Sequence, residues 1–258
     1  MDLQINNKYF IVTGGGSGFG RAIAAALAGE RANVLVVSRT EEKLSILKNK
    51  YPKQVDYIAG DIMLEETQKD ILQWLDDKYL SGVLVNAGGP PSGGFDEVSM
   101  DQWQEGWNSV VKWKISFTKK IIPVFRKQHY GRMLFIESVS VKQPVKNLIL
   151  SNALRPAVVG FVKTLSQEVA ADGITANVLA PGYHSTAALQ RLFVKKSELE
   201  NISLEKARKA FETEIPVGQM ATPEELATLA LWLLSPLSRY VTGQTFSHDG
   251  GIVQGFFG

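Results

Sequence analysis

The strongest constraint on this chain is an alternation that runs its whole length. Short runs rich in β-branched residues are followed, again and again, by longer amphipathic stretches. Residues 8–13 (KYFIVT) and 33–38 (NVLVVS) read as strands, and 19–28 and 41–50 as the helices after them. Further strands are expected at 54–59, 83–86, 132–136 and 175–179, and helices at 65–77, 102–128 and 156–170. Thr222 and Pro223 form a start signal for a helix over 224–234, since Thr caps and Pro suits the first turn. Such alternation specifies a parallel sheet with helices on both faces. Ligands then bind beyond the carboxyl ends of the strands, where the strand order reverses.

The first strand runs directly into Thr13-Gly14-Gly15-Gly16-Ser17-Gly18-Phe19-Gly20, and a helix follows. Glycines here let the backbone turn tightly and approach a pyrophosphate. The helix start offers N–H groups and a positive dipole end to the phosphates. The bland alternative is a tight loop; the placement between first strand and first helix favours nucleotide binding.

Composition narrows the rest. The 258 residues suit one α/β domain. Lysine plus arginine number 28 and aspartate plus glutamate 26, so the net charge is +2, too small for a general nucleic-acid binder. With 45% hydrophobic and 21% charged residues the chain is globular rather than disordered. It has no cysteine, which excludes disulfides, thiolate metal sites and a cysteine nucleophile. His129, His184 and His248 lack metal-motif spacing, so no metal is expected. The start (MDLQINNKYFIVTG) has no basic segment followed by an apolar one, and no apolar run approaches the ~18 residues of a membrane span. A cytoplasmic protein without membrane or nucleic-acid partners is the expectation. The Gly/Pro-rich run at 88–94 is punctuation within the domain.

The spacing T-G-x-x-x-G-x-G resembles the short-chain dehydrogenase/reductase family, and further family features recur in order over nearly the whole chain. Gly60-Asp61-Ile62 ends the third strand, where the family uses an Asp to hold adenine. Asn86-Ala87-Gly88 is similar to the end of N-N-A-G, with Val85 replacing the first Asn. Gly131-Arg132 opens the strand that leads to Ser138. The segment from Pro181 and Gly182 through Tyr183, His184 and Ser185 to Thr186 matches the P-G-x-x-x-T loop over the nicotinamide. Tyr240-Val241-Thr242-Gly243-Gln244 and Asp249-Gly250-Gly251 match Y-x-T-G-Q and D-G-G. The resemblance implies a doubly wound parallel sheet (Rossmann fold) as a single domain over 1–258. It also implies a substrate lid at about 187–215 and a dinucleotide on Gly14, Gly16, Ser17, Gly18, Phe19 and Gly20.

Cofactor choice follows from charge. An NAD enzyme places a carboxylate at the end of the second strand, about 20 residues past the turn, for the ribose 2′-OH. Here Ser38, Arg39 and Thr40 stand there. Nothing repels a 2′-phosphate and a guanidinium is present to pair with it, so NADP(H) is expected over NAD(H). The alternative is an Arg39 paired with Glu41 or Glu42.

The catalytic pattern departs from the family. A Ser, a Tyr thirteen residues later and a Lys four beyond the Tyr carry its chemistry. Counting from Ser138 gives Ser151 and then Arg155. The flanks fit that register. The family Asn, seven residues after a Trp, falls from Trp103 onto Val110. Ser151, retained as a catalytic candidate, is much shorter than a tyrosine, and its hydroxyl is a poor acid or base unless a neighbour activates it. Arg155 still binds a ribose hydroxyl or an anion, yet cannot relay protons. His184, Tyr183, Lys142 and Lys146 are candidate substitutes for the missing acid, His184 by its ordinary pKa of ~6.5. Pro156 directly follows Arg155, so the helix is expected to start near Pro156 or to be distorted there. Trp103, Trp107 and Trp113, with Lys112, Lys114, Lys119 and Lys120, read as a packing stripe with a solvated basic edge. An acidic-partner face such as one for acyl carrier protein is the alternative. Leu189, Leu192, Phe193 and Phe211 give the lid apolar faces suited to a partly apolar substrate. The tail around Phe256 and Phe257 reads as interfacial, in a homotetramer or dimer.

The functional expectation is therefore an NADP(H)-dependent oxidoreductase with an atypical site, reducing a carbonyl of the 3-oxoacyl type. Ser138 would polarise the carbonyl, and Arg155 would hold ribose or a substrate anion. The alternatives are a nucleotide-binding scaffold or sensor without turnover, and a cofactor-dependent enone reductase or isomerase.

Overall fold

A computed structural model describes residues 1–256, apart from the side chains of Ala188 and Lys195. The strands are β1 (Tyr9–Thr13), β2 (Asn33–Ser38), β3 (Val55–Ala59), β4 (Leu80–Val85), β5 (Gly131–Ile136), β6 (Ile174–Pro181) and β7 (Thr245–His248). All pair in parallel, in the order β3-β2-β1-β4-β5-β6-β7. From β1 the chain winds outward to β3, then returns to place β4 on the other side of β1. That reversal opens a crevice at the carboxyl ends of β1 and β4.

The central strands are buried on both faces because helices cover both, as a parallel sheet requires. Alternate residues go to opposite sides. Phe10, Val12, Val34, Val36, Leu84 and Leu134 pack under α1 (Gly18–Gly29), α2 (Glu41–Lys50) and α9 (Pro223–Leu234). Ile11, Leu35, Val37, Val83, Val85, Met133 and Phe135 pack under α3 (Glu65–Leu75), α5 (Trp113–Gln128) and α6 (Ile149–Val169). Helix α9 (Pro223–Leu234) begins as its sequence dictates. Thr222 Oγ1 accepts the Glu225 N–H at 3.2 Å, and Glu225 Oε2 accepts the Thr222 N–H at 2.6 Å, a capping box that satisfies two end donors. Among the described residues no helix is long and apolar enough to cross a membrane.

Two expectations are corrected. The helix expected over 102–128 is three pieces: α4 (Met100–Trp107), a π-helical turn (Asn108–Lys112) and α5 (Trp113–Gln128). Helix α6 (Ile149–Val169) neither starts at Pro156 nor breaks there. Pro156 denies the Asn152 carbonyl its helical partner. A long buried stripe of Leu150, Leu154, Val158, Val162 and Val169 offsets that loss. The start of α6 is also pinned, because the Asn152 amide exchanges hydrogen bonds with the Val145 backbone at 3.0 and 2.9 Å. Ser151 and Arg155 thus share one face of a regular helix, one turn apart.

The segment 187–215 forms α7 (Ala187–Glu200) and α8 (Leu204–Glu212). Its apolar residues pack on one another. Leu189, Phe193 and Ala207 are buried against Leu192, Ile202 and Phe211 in a small core of their own. Phe257, part of the expected interfacial tail, lies outside the described residues.

Candidate active site

The crevice is built by tying the ends of β1 and β4 together. The Thr13 hydroxyl donates to the Asn86 carbonyl and accepts the Asn86 N–H, both at 2.8 Å. The backbone of Asn86 therefore lies against the glycine turn. A β-carbon on Gly14 would stand 2.6 Å from the Asn86 carbonyl oxygen, and Gly14 has φ +63°, so only glycine fits on both counts. Likewise a β-carbon on Gly20 would meet the Gly14 carbonyl at 2.3 Å. Helix α1 starts at Gly18. Ser17 makes no side-chain cap bond and no acidic residue occupies the first turn, so the opening N–H groups and the dipole are left for an anion.

Gly16 lies against Ser38 at the end of β2. Arg39 beside it is exposed and forms no ion pair among the described residues. Glu41 accepts instead from the Tyr57 hydroxyl at 3.1 Å. The alternative of a neutralised Arg39 is not realised. Asp61, with Ile62 buried after it, follows β3, and its carboxylate accepts the Met63 N–H at 3.0 Å. On the other side of the crevice, Pro181 ends β6, and Gly182 donates to the His248 carbonyl at 3.0 Å. Thr186 caps α7 and its methyl faces Gly18. The His184 ring meets the Phe19 ring edge-on at 5.0 Å. The 181–186 loop thus reaches over the glycine turn, which also lies against Asn86 and Ser38, and Ala87 and Gly88 follow Asn86 beyond the end of β4. The donor set there fits a phosphorylated dinucleotide: free helix-end N–H groups, an unpaired guanidinium and no carboxylate at the end of β2.

The catalytic candidates separate into two groups. Ser138 follows β5; its Oγ accepts the Ser140 N–H at 3.2 Å, which leaves its own O–H to donate. Ser151 is buried, and its Oγ lies 3.5 Å from Arg155 Nε, a long hydrogen bond. His184 and Tyr183 leave the list of acids. His184 is 2% exposed, with Nδ1 on the Gly182 carbonyl at 3.1 Å and Nε2 on His248 Nδ1 at 2.9 Å, so neither nitrogen remains for a substrate. Burial holds its pKa below the ordinary value. The Tyr183 phenol donates to Glu214 at 2.9 Å, and burial followed by that carboxylate pushes its pKa well above the usual tyrosine value. A cavity of about 360 Å³ beside Tyr183 and His248 is bordered by none of Ser138, Ser151 or Arg155.

The structure also brings in two residues that the spacing argument passed over. Glu137, at the end of β5, has a side chain with no exposure. Its carboxylate accepts from Arg155 Nη1 at 2.9 Å and from Lys114 Nζ. Lys114, expected on a solvated basic edge, is instead 3% exposed and points inward one turn beyond Val110. The π-helical turn ends two residues before it, and such turns recur at functional sites. A sequence signal existed: a carboxylate directly after the apolar run GRMLFI of a central strand needs a buried cation. Burial lowers the Lys114 pKa, Glu137 opposes that shift, and Arg155 adds to it.

Fold and crevice define a class: a doubly wound nucleotide-binding protein with its ligand crevice between β1 and β4. Comparison with known proteins refines this. Residues 14–253 match the family model described as enoyl-(acyl carrier protein) reductase. A 3-oxoacyl-[acyl-carrier-protein] reductase FabG of Buchnera aphidicola is 30% identical, over 97% of this chain and 99% of that protein. The NADPH-dependent reductase BacG of Bacillus subtilis is 28% identical, over 96% and 98%. The L-sorbose reductase of Gluconobacter frateurii, solved with NADPH and L-sorbose, superposes with a TM-score of 0.92 at 26% identity, covering 99% of this chain and 100% of that one. The chain belongs to the short-chain dehydrogenase/reductase family.

Proposed function

We propose that the protein is an NADP(H)-dependent oxidoreductase that reduces a carbonyl compound, with 3-oxoacyl-type substrates as the nearest model. The observation that carries the reading is the unpaired Arg39 at the end of β2, beside a glycine turn clamped to Asn86. The NADPH-dependent relatives support it. The bound dinucleotide would supply the hydride. The N–H groups at Gly18–Gly20 would hold its diphosphate, Ser38, Arg39 and Thr40 its 2′-phosphate, and Asp61 with Ile62 its adenine. Asn86, Ala87 and Gly88, with the 181–186 loop, would flank the nicotinamide end. Ser138 and Ser151 would donate to the substrate oxygen, and the free edge of Arg155 would bind the ribose or that oxygen. The 187–215 segment would close over the substrate as a lid. The protein would work in the cytoplasm as a homo-oligomer.

Fluorescence titration tests the first step. NADPH should bind at least ~10-fold more tightly than NADH, since a phosphate–guanidinium pair is a strong charge-assisted contact. Arg39→Glu should reverse the order; equal affinity in wild type and variant would sink the assignment.

One observation favours a second reading, reduction of a conjugated carbonyl. The site offers no phenol, yet holds two cations against one buried carboxylate. Hydride added at the β-carbon would yield an enolate, which solvent can protonate. Single-turnover oxidation of NADPH with ethyl acetoacetate and with cyclohex-2-en-1-one separates the two. Nucleotide binding with no oxidation across ketones and enones would leave the scaffold or sensor.

A further inference from the structure

Three elements deliver three formal charges to one buried point: Lys114 from α5, Glu137 from β5 and Arg155 from α6. Two cations share one carboxylate, so the cluster carries +1 when Lys114 is protonated. Among the described residues no second carboxylate pairs with Lys114 or Arg155. The cluster is also polarised in space. The Lys114 and Glu137 side chains are 4% and 0% exposed, whereas Arg155 is 12% exposed. Arg155 holds Glu137 with Nη1 and Ser151 with Nε, while Nη2 lies along Gly89, 2.7 Å from where a β-carbon there would stand. The loop it faces, 88–94, contains no acidic residue. Ser138 is the residue next to Glu137, and Ser151 is one turn from Arg155. Both hydroxyl oxygens already accept a hydrogen bond, so their protons are free to be donated.

We propose that Lys114 is a positioning residue of this site: acting through Glu137, it gives the Ser138–Ser151–Arg155 group the net positive charge that holds an oxyanion. The inference rests on reading the crevice as a reductase site. Addition of hydride from NADPH to the substrate carbon breaks the C=O or conjugated C=C π bond. The electron pair moves to oxygen, which leaves NADP⁺ and an oxyanion, and a proton from water completes the product. Without a phenol to neutralise that oxygen in concert, fixed charge beside it does part of the work. Glu137 holds Arg155 so that the charge is aimed rather than mobile. The charged groups facing Lys114 from other elements are Glu137 on β5 and Arg155 on α6; the Trp113 ring on its own helix is 6.0 Å away. Burial holds Lys114 below the usual lysine range, so rising pH discharges it and brings the cluster to neutrality.

The probe is 4-nitrophenol, whose anion is an oxyanion with a visible colour, added to the full-length protein saturated with NADP⁺. Wild type is expected to bind it as the phenolate and to make it ionise at lower pH than in water. Lys114→Gln keeps a hydrogen bond to Glu137 while removing the charge, and should lose phenolate affinity by roughly ten-fold. Lys114→Met serves if the first variant fails to fold. The wild-type preference should fade on raising the pH below the ordinary lysine range, and stay flat in either variant. A wild type with no preference for the phenolate, or variants that keep it, overturns the proposal. NADPH binding, followed by fluorescence in all three proteins, shows that each keeps its crevice. A wild type that binds no pyridine nucleotide defeats the underlying reading. Nucleotide binding with an unaltered phenolate preference defeats this inference alone.

Discussion

Glu137 is one buried carboxylate serving two cations, so every change to it has a large consequence. Glu137→Leu strands Lys114 and Arg155, and loss of one partner from a buried charge pair costs about 3–5 kcal/mol. Urea unfolding should show a loss of that size, with Glu137→Gln losing less because it still accepts a hydrogen bond. A variant within about 0.5 kcal/mol of wild type, the range of ordinary surface changes, would mean the cluster is solvated. Lys114 makes a complementary prediction. Its folded pKa lies below the 10.5 of an unfolded lysine, so between those values the unfolded chain binds more protons than the folded one. Stability should therefore rise with pH across that window. Comparison with Lys114→Met isolates the effect from that of Tyr130, whose raised pKa acts in the opposite direction there. At this scale the sequence was legible where only one residue type fits, as at Gly14 and Gly20 of the turn. It was not legible for Lys114 and Glu137, because their pairing depends on a π-helical turn and a helix–strand contact that no spacing reveals.

Helix α6 shows why element boundaries resist a local rule. Proline 156 argued for a boundary, and the burial of six apolar side chains along the helix outvoted it. Pro156→Ala returns an N–H to the Asn152 carbonyl and should raise stability by up to about 3 kcal/mol, seen as a higher melting temperature. No gain would mean that carbonyl already has another partner. Where apolar periodicity and an end signal agreed, as for α9 with Thr222 and Pro223, the expected and observed helices nearly coincide. The 181–186 loop is an element of the opposite kind, held by side chains. His184 ties Gly182 to His248, and its depressed pKa means that the folded state resists the proton an unfolded histidine takes up near 6.5. Its contribution is fully present above 6.5 and lost as the pH falls through the folded value. Wild type should destabilise across that interval more steeply than His184→Gln; parallel melting curves would show that the ring is solvated.

For the whole molecule, the doubly wound sheet was legible because parallel strands under two helical layers must be apolar throughout, and such runs are easy to see. Surfaces carry no comparable pattern, so assembly has to be argued from exposure. Phe95 and Met100 are each 79% exposed, and Trp107 is 41% exposed. Met100 and Trp107 stand seven residues apart on α4 and so share one face, with Phe95 just before it. Large apolar groups gathered on one helix face mark an interaction surface more often than a solvated one. A net charge of +2 gives little repulsion to oppose self-association. A closed, self-complementary interface between copies satisfies such a face at both partners at once. Light scattering after size exclusion should therefore give a mass at a whole multiple of the 28.4 kDa chain, two-fold or four-fold. Trp107→Glu should lower it toward the monomer with the circular dichroism spectrum unchanged, since α4 lies outside the sheet. A monomeric wild type at micromolar concentration would leave this face to a different protein.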